Sequence, residues 1–327
     1  MESWLRPYPT QPVWMNMMPD SPFDLSHLQA AFGERLQTNV PMARYTSARV
    51  GGPADALLVA NTANDLAGIL QHLWQMNVRY WVLGGGSNVL VSDKGLRGVV
   101  VINRARQVRF NGATTPPSVW AESGANFGAL ARQAASRGLS GLEWAAGIPG
   151  TLGGAVVGNA GAFGGDIAGN LLLAEILHPN GHENWPVERL DYAYRTSILK
   201  RQPGQRVVLS ATLALQHSTP EAVQARVNEF TEQRHKTQPP GASMGSMFKN
   251  PPGDAAGRLI DACGLKGTQV GAAQISPLHG NFFINHGQAT AADVYSLISL
   301  ARSQVAEKFG ITLELEVELL GLWEGSN

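Results

Sequence analysis

Five short stretches of this chain carry side chains, or lack them, in patterns that chemistry can use. The first is Gly84-Gly85-Gly86-Ser87-Asn88, set between apolar Trp81-Val82-Leu83 and Val89-Leu90-Val91. Adjacent glycines lose much chain entropy on ordering, so such a run implies a close approach to backbone. A P-loop would need Lys followed by Ser or Thr, and Ser87-Asn88 stands there instead. A Rossmann turn would open a helix. Here β-branched Val89 and Val91 follow, then Asp93-Lys94-Gly95 as a turn and a further apolar run over 98–102. The order is strand–loop–strand–turn–strand. Two readings remain: a loop whose N–H groups form an anion-binding concavity, or a tight hairpin turn.

The second stretch covers 147–165. Ile148-Pro149-Gly150 is a turn leading to Thr151, and Gly153-Gly154 allows close backbone approach. Asn159 and the small residues around it leave room for a flat ligand; the alternative is a glycine-lined crossing between two sheets. Two such segments in one chain favour a ligand the size of a dinucleotide. The third stretch, Tyr194-Arg195-Thr196-Ser197, sets a planar guanidinium between an aromatic ring and two hydroxyls, where it could hold a carboxylate or simply flank a turn. The fourth, Gly245-Ser246-Met247-Phe248-Lys249-Asn250-Pro251, offers an accessible hydroxyl with Lys249 and Asn250 as nearby donors. It lacks the G-x-S-x-G spacing of hydrolases, and Ser246 could equally cap a loop. In the fifth, over 313–319, strict alternation puts Glu314, Glu316 and Glu318 on one strand face. That is a solvated edge, unless one carboxyl turns into a cleft where burial raises its pKa.

The elements that must position these stretches follow from periodicity. A helix is expected over 26–36 after a Pro- and Met-rich tail, a strand over 55–60, and a helix over 64–76 with Leu66, Ile69, Leu70 and Leu73 on one face. Strands over 107–110 and 118–122 and a helix over 126–137, closed by Gly138, form the next unit. Strands follow near 171–177 and 207–215. Thr219-Pro220 opens a helix reaching about 234. The last helix, 290–309, sets Val294, Leu297, Ile298, Ala301 and Val305 on one face and stops at Gly310, before a strand over 312–320.

Composition bounds the function. The chain has 327 residues, 44% of them hydrophobic, with 25 basic and 25 acidic side chains and 37 glycines. Zero net charge without basic clusters speaks against nucleic acid. No apolar run approaches the ~20 residues that span a bilayer, and the N-terminus lacks a signal-peptide pattern, so a cytoplasmic protein is expected. Cys263 is the single cysteine, which excludes an intrachain disulfide and a Cys-based zinc cluster. Among the histidines only His178 and His182 stand four apart, across a turn, so no metal is expected.

Taken together and in order, Thr46 to Ala54, GGGSNVLV, IPGTLGGAVVGNAG, YRTS, GSMFKNP and L-E-x-E-V resemble the UDP-N-acetylenolpyruvoylglucosamine reductase family, also called MurB, over about residues 40–322. The resemblance implies an α+β fold: a two-part FAD-binding region of the PCMH/vanillyl-alcohol-oxidase type plus a C-terminal α+β substrate-binding domain. It divides the chain into an N-terminal extension (1–38), two FAD-binding subdomains (39–105 and 106–217) and a substrate-binding domain (218–327). It implies NADPH-dependent reduction of UDP-N-acetylglucosamine enolpyruvate through non-covalent FAD, in peptidoglycan precursor synthesis, by a monomer. By motif, FAD contacts fall to Tyr45, Gly84, Gly85, Gly86, Ser87, Asn88, Ile148, Gly150, Thr151, Gly153, Gly154, Asn159 and Gly161. GGGSN would lie against the pyrophosphate. Arg195 would bind and polarise the substrate carboxylate, supported by Tyr194; Ser246 would donate the proton, and Glu316 would assist at the enolate. Lys249, Asn250 and His279 would touch the substrate, with Glu314 and Glu318 as bystanders.

The chain departs from the family pattern at Phe163, where many relatives have Tyr, and at Leu315, where Pro is frequent. Its IPGTLGGAV wording resembles the shorter branch, without an extra tyrosine-bearing loop. Two alternatives stay open: another FAD oxidoreductase of the same cofactor-binding fold, and a non-catalytic nucleotide-binding module. Some flavin oxidases attach the cofactor through His or Cys, and neither residue occurs in GGGSN or IPGTLGG.

Overall fold

The computed structural model describes residues 25–323; the Pro- and Met-rich tail of the expected N-terminal extension lies outside them. The described chain forms two compact units that interleave along the sequence. The first comprises residues 25–57, 86–100 and 237–323, and the second Leu58–Gly85 and Val101–Lys236. Two strands, Pro53–Ala60 and Leu96–Asn103, begin in the first unit and end in the second.

The first unit is built around the helix Ala291–Phe309. Thr290 and Asp293 cap it reciprocally, which satisfies two of its orphan N–H groups. Asp93 adds a second cap: its carboxylate accepts from Ala291 N (2.8 Å) and Ala292 N (2.9 Å). The expected face of Val294, Leu297, Ile298, Ala301 and Val305 is buried, and Gly310 ends the helix at φ +67°. That face packs on a three-stranded antiparallel sheet, Gln269–Val270, Ala273–Ile275 and Phe283–Asn285. Glu318–Leu320 pairs in parallel with Val89–Val91.

The second unit is a five-stranded antiparallel sheet in the order Gly181–Pro186, Leu171–His178, Val207–Ala214, Ser118–Glu122, Val108–Asn111. The helices Ala63–Gln75 and Phe127–Ala135 follow the expected periodicity, with Leu66, Ile69, Leu70 and Leu73 buried in the first. Thr62 and Asn126 cap them through their side chains. The helix Pro220–Thr237, which starts the span 218–327 in the sequence reading, places Val223, Val227 and Phe230 in this unit's core beside Phe127 and Trp144.

Three local readings change. The helix expected over 26–36 ends at Phe32 and continues as a 3-10 turn, Gly33–Arg35. Within 147–165 a helix, Leu152–Gly158, stands where low side-chain content had indicated only turns and close approach. Glycine disfavours helix by about 1 kcal/mol per residue, and here burial of Leu152, Ala155 and Val156 overrides it. The strand expected over 312–320 is regular only at Glu318–Leu320.

Candidate functional site

In the second unit the two glycine-rich segments, far apart in sequence, come together. Gly85 packs on Gly150, where an added Cβ would lie 3.2 Å from the Gly150 Cα. A Cβ on Gly84 would stand 2.2 Å from the Thr151 hydroxyl, and one on Gly153 would stand 2.8 Å from the Ser123 Cβ. Gly161 is held against Asp166 in the short hairpin Gly161–Ala162 with Gly165–Asp166. Gly84, Gly153 and Gly161 are therefore demanded by chain packed on chain, and Gly85 is nearly as tight. Gly154 differs: it is exposed, helical, and nothing but the Thr151 hydroxyl, at 3.8 Å, lies near its missing Cβ.

That contrast provides a clean test. Gly154→Leu is expected to keep the fold and the melting temperature, because leucine favours helix over glycine by about 1 kcal/mol. Its flavin content should fall severely if the bare surface of this helix is where the cofactor lies. Absorbance near the flavin bands, measured beside a thermal melt, checks both; full flavin content in a stable variant would place the cofactor elsewhere.

The Arg195 loop is fastened to the end of the same helix. Tyr192 donates its hydroxyl to the Val156 carbonyl (2.8 Å) and Ser197 to the Val157 carbonyl (2.6 Å). Asn159, left-handed at φ +46°, donates to Ala193 O (3.2 Å) and accepts from Ala168 N (3.0 Å). The Ser197 hydroxyl is thus committed to backbone and is not one of two hydroxyls flanking a carboxylate site. Burial and the nearby Asp166 carboxylate push the Tyr192 phenol well above its ordinary pKa, so it remains a donor. Ala193 and Thr196 exchange both backbone hydrogen bonds at 3.1 Å, which leaves Tyr194-Arg195 as a two-residue turn. Arg195 occupies its second corner at φ +57°, a position that favours Gly or Asn. Arg49 and Phe163 share this uncommon conformation for side chains with a Cβ. The guanidinium lies 5.2 Å over the Tyr194 ring, which is itself 53% exposed.

In the first unit, Gly86 sits at φ +58° with the Tyr45 carbonyl where its Cβ would be, 2.0 Å away, and its own carbonyl accepts from Ser47 N (2.9 Å). Asn88 is a junction. Its side-chain amide donates to Glu316 O (3.0 Å) and its carbonyl accepts from Glu318 N (3.0 Å). Ser87 is half-buried beside it, and Ile148 is half-buried in the second unit.

The segment 246–249 is clamped from both sides. On one side Ser246 bridges Phe282, and Met247 N donates to Asn281 O (2.8 Å). On the other, Phe248 bridges Leu315, Lys249 N donates to Glu314 O (2.9 Å), and Met247 O accepts from Glu316 N (3.0 Å) and Val317 N (3.5 Å). Two successive N–H groups on one carbonyl interrupt the strand at Glu316, much as a bulge does. This arrangement separates the three glutamates. Glu316 is half-buried and one residue across from Ser246, whereas Glu314 and Glu318 are exposed.

Glu314 also pairs with the Lys249 ammonium at 3.2 Å. Asn250 spends its Oδ1 on Ala256 N (3.1 Å), at the start of the helix Ala256–Ala262. His279 is half-buried against Phe282, and its Nδ1 accepts from Asn281 N (3.1 Å). Burial, with Lys266 nearby, holds its pKa below the usual histidine range, consistent with a neutral ring. Tyr192 in the second unit and Asn281 in the first each fix the segment they touch, and no spacing signal in the sequence marks these two, whereas Ser197 stands within the stretch around Arg195. His178 and His182 face Glu183 and Glu175 on the hairpin of the second unit.

Comparison with known proteins gives the following. Residues 54–183 match the family model for an FAD binding domain, and residues 235–320 match that for the UDP-N-acetylenolpyruvoylglucosamine reductase C-terminal domain. The UDP-N-acetylenolpyruvoylglucosamine reductase of Chloroflexus aggregans is 46% identical over 293 residues, covering 87% of this chain and 97% of that protein. That of Bacillus subtilis is 39% identical, covering 88% and 94%. The crystal structure of the enzyme from Thermus caldophilus superposes with a TM-score of 0.74 at 38% identity, over 86% of this chain and 98% of that one.

Proposed function

The chain belongs to the UDP-N-acetylenolpyruvoylglucosamine reductase family, and from this premise we propose roles for its residues. It is an FAD-containing, NADPH-dependent oxidoreductase that reduces UDP-N-acetylglucosamine enolpyruvate to UDP-N-acetylmuramate, a step of peptidoglycan precursor synthesis. Among the described residues no helix is long and apolar enough to cross a membrane. We take the protein to act in the cytoplasm as a monomer.

The residues present fit the cofactor. Gly154 is exposed with only the Thr151 hydroxyl near its missing Cβ, and Gly85 meets Gly150 backbone to backbone, which suits the close approach of a flat ligand. In this reading Tyr45, Gly84, Gly85, Gly86, Ser87, Asn88, Ile148, Gly150, Thr151, Gly153, Gly154, Asn159 and Gly161 are the residues that hold FAD. The chemistry FAD supplies when bound is hydride transfer from NADPH to the enolpyruvyl methylene carbon.

The chain's own task is to manage the resulting charge. When the methylene becomes methyl, the electron pair of the double bond passes to the adjacent carbon and onto the carboxylate. Arg195 meets that charge with a preorganised cation whose donors match a carboxylate. Ser246 gives its proton to the adjacent carbon, which completes the addition of two hydrogens across the bond. Glu316, fixed beside Ser246 by the Met247 carbonyl, assists at this step and steers the serine proton. Lys249, Asn250, Tyr194 and His279 bind the sugar nucleotide.

The observation that carries this reading is Arg195 at the left-handed corner of its turn, beside the exposed ring of Tyr194. The experiment is optical. The purified protein should be yellow, bleach with NADPH under anaerobic conditions, and regain its colour when the enolpyruvyl sugar nucleotide is added. A protein that bleaches and never recovers with that substrate would reject the reductase.

A further inference from the structure

Asn281 is 3% exposed, deep enough that its amide must be fully paired to be tolerated. Its side-chain amide and its carbonyl both pair with one short segment. Its Oδ1 accepts from Phe248 N (2.9 Å), its Nδ2 donates to Phe248 O (2.8 Å), and its carbonyl accepts from Met247 N (2.8 Å). The side chain thus acts as an extra strand residue, engaging both backbone groups of Phe248 at once. Its own N–H rests on the His279 Nδ1 at 3.1 Å, so the clamp is anchored from behind as well.

What this clamp holds still is Ser246, two residues upstream. Directly before it stands Gly245, at φ +77° with open space around its missing Cβ. A glycine in that conformation is a ready pivot, so the direction of the Ser246 hydroxyl is set from the downstream side. The Met247 carbonyl that receives Glu316 N belongs to the same held segment. We propose that Asn281 is a positioning residue for the proton donor: it fixes Phe248 and Met247, and through them the aim of Ser246 and its register with Glu316. The proposal rests on the assignment of Ser246 as donor.

The clamp needs one donor and one acceptor, which an amide supplies at every pH. Aspartate has the same shape and keeps the acceptor, but as a carboxylate it turns an oxygen toward the Phe248 carbonyl. Protonated, its O–H could donate there and rebuild the clamp, and burial favours that neutral form. Asn281→Asp therefore carries its own signature in pH.

The experiment follows both half-reactions of the flavin-loaded, full-length protein by rapid mixing. Asn281→Asp is expected to slow flavin reoxidation by the sugar nucleotide about tenfold to a hundredfold at pH 8, the range for a misplaced reacting group, and to recover as the pH is lowered. Flavin reduction by NADPH should stay within about twofold of the parent. Combined with Ser246→Ala, it should add no further loss, because the two act through one group.

Flavin loss, equal slowing of both half-reactions, a pH-independent defect, or additivity with Ser246→Ala would each overturn the proposal. If Asn281→Asp does not fold, Asn281→Gln keeps donor and acceptor and shifts them by one methylene; the same split between half-reactions is expected, and its absence has the same force. A parent-like Ser246→Ala would instead refute the donor assignment itself. A slow Ser246→Ala beside a parent-like Asn281→Asp would refute only the positioning role.

Discussion

Ser246→Ala is expected to leave flavin reduction by NADPH near the parent rate and to slow flavin reoxidation by the sugar nucleotide by ~10²–10⁴, the usual worth of a positioned acid. The two half-reactions separate because only the second needs a proton delivered to carbon. The hydroxyl is not required by the fold: the segment is held through the backbone of Met247, Phe248 and Lys249 and through Asn281. Substrate affinity should change little, since one hydrogen bond is worth roughly 1 kcal/mol. Flavin absorbance in a rapid-mixing instrument reads both steps. If NADPH reduction slows equally, Ser246 supports the flavin or the fold; if neither step slows, the acid lies elsewhere.

Replacing Arg195 with glycine should dissociate activity from stability. At φ +57° an L-residue carries about 1–2 kcal/mol of steric cost, which glycine removes. Against this stand the lost guanidinium–ring contact with Tyr194, worth about 0.5–1 kcal/mol at an exposed ring, and glycine's greater freedom in the unfolded chain. The expected melting temperature is close to that of the parent. Turnover should fall by about 10²–10³, as when one charge-stabilising donor is removed from a transition state. Calorimetry and steady-state rates on one preparation decide it. A variant that melts much earlier would make Arg195 a structural residue; one that turns over normally would leave the carboxylate without its assigned cation.

The glutamates show how sequence and tertiary structure divide the work. Alternation alone makes Glu314, Glu316 and Glu318 equivalent. In the folded chain the Met247 carbonyl accepts from both Glu316 N and Val317 N, and Glu316 alone of the three is half-buried. Nothing in 313–319 encodes that interruption, because its cause is a carbonyl some seventy residues earlier in the chain.

Local chemistry was legible from the sequence wherever neighbours along the chain decide it. The apolar faces of Ala63–Gln75 and Ala291–Phe309 are buried as their periodicity requires, and Gly310 ends the second as expected. The glycine-rich stretches, the Arg195 turn and the Ser246 segment could be marked out by residue type alone. What each of them packs against could not. That Gly85 rests on Gly150, that Arg195 is strained while its loop is tied to Val156 and Val157, and that Asn281 grips Phe248 were decided only by the tertiary structure. The helix Leu152–Gly158 likewise forms against its glycine content because its apolar residues find a core. Helix periodicity and capping act within a few residues, whereas burial and hydrogen-bond pairing act between segments that only the fold makes neighbours.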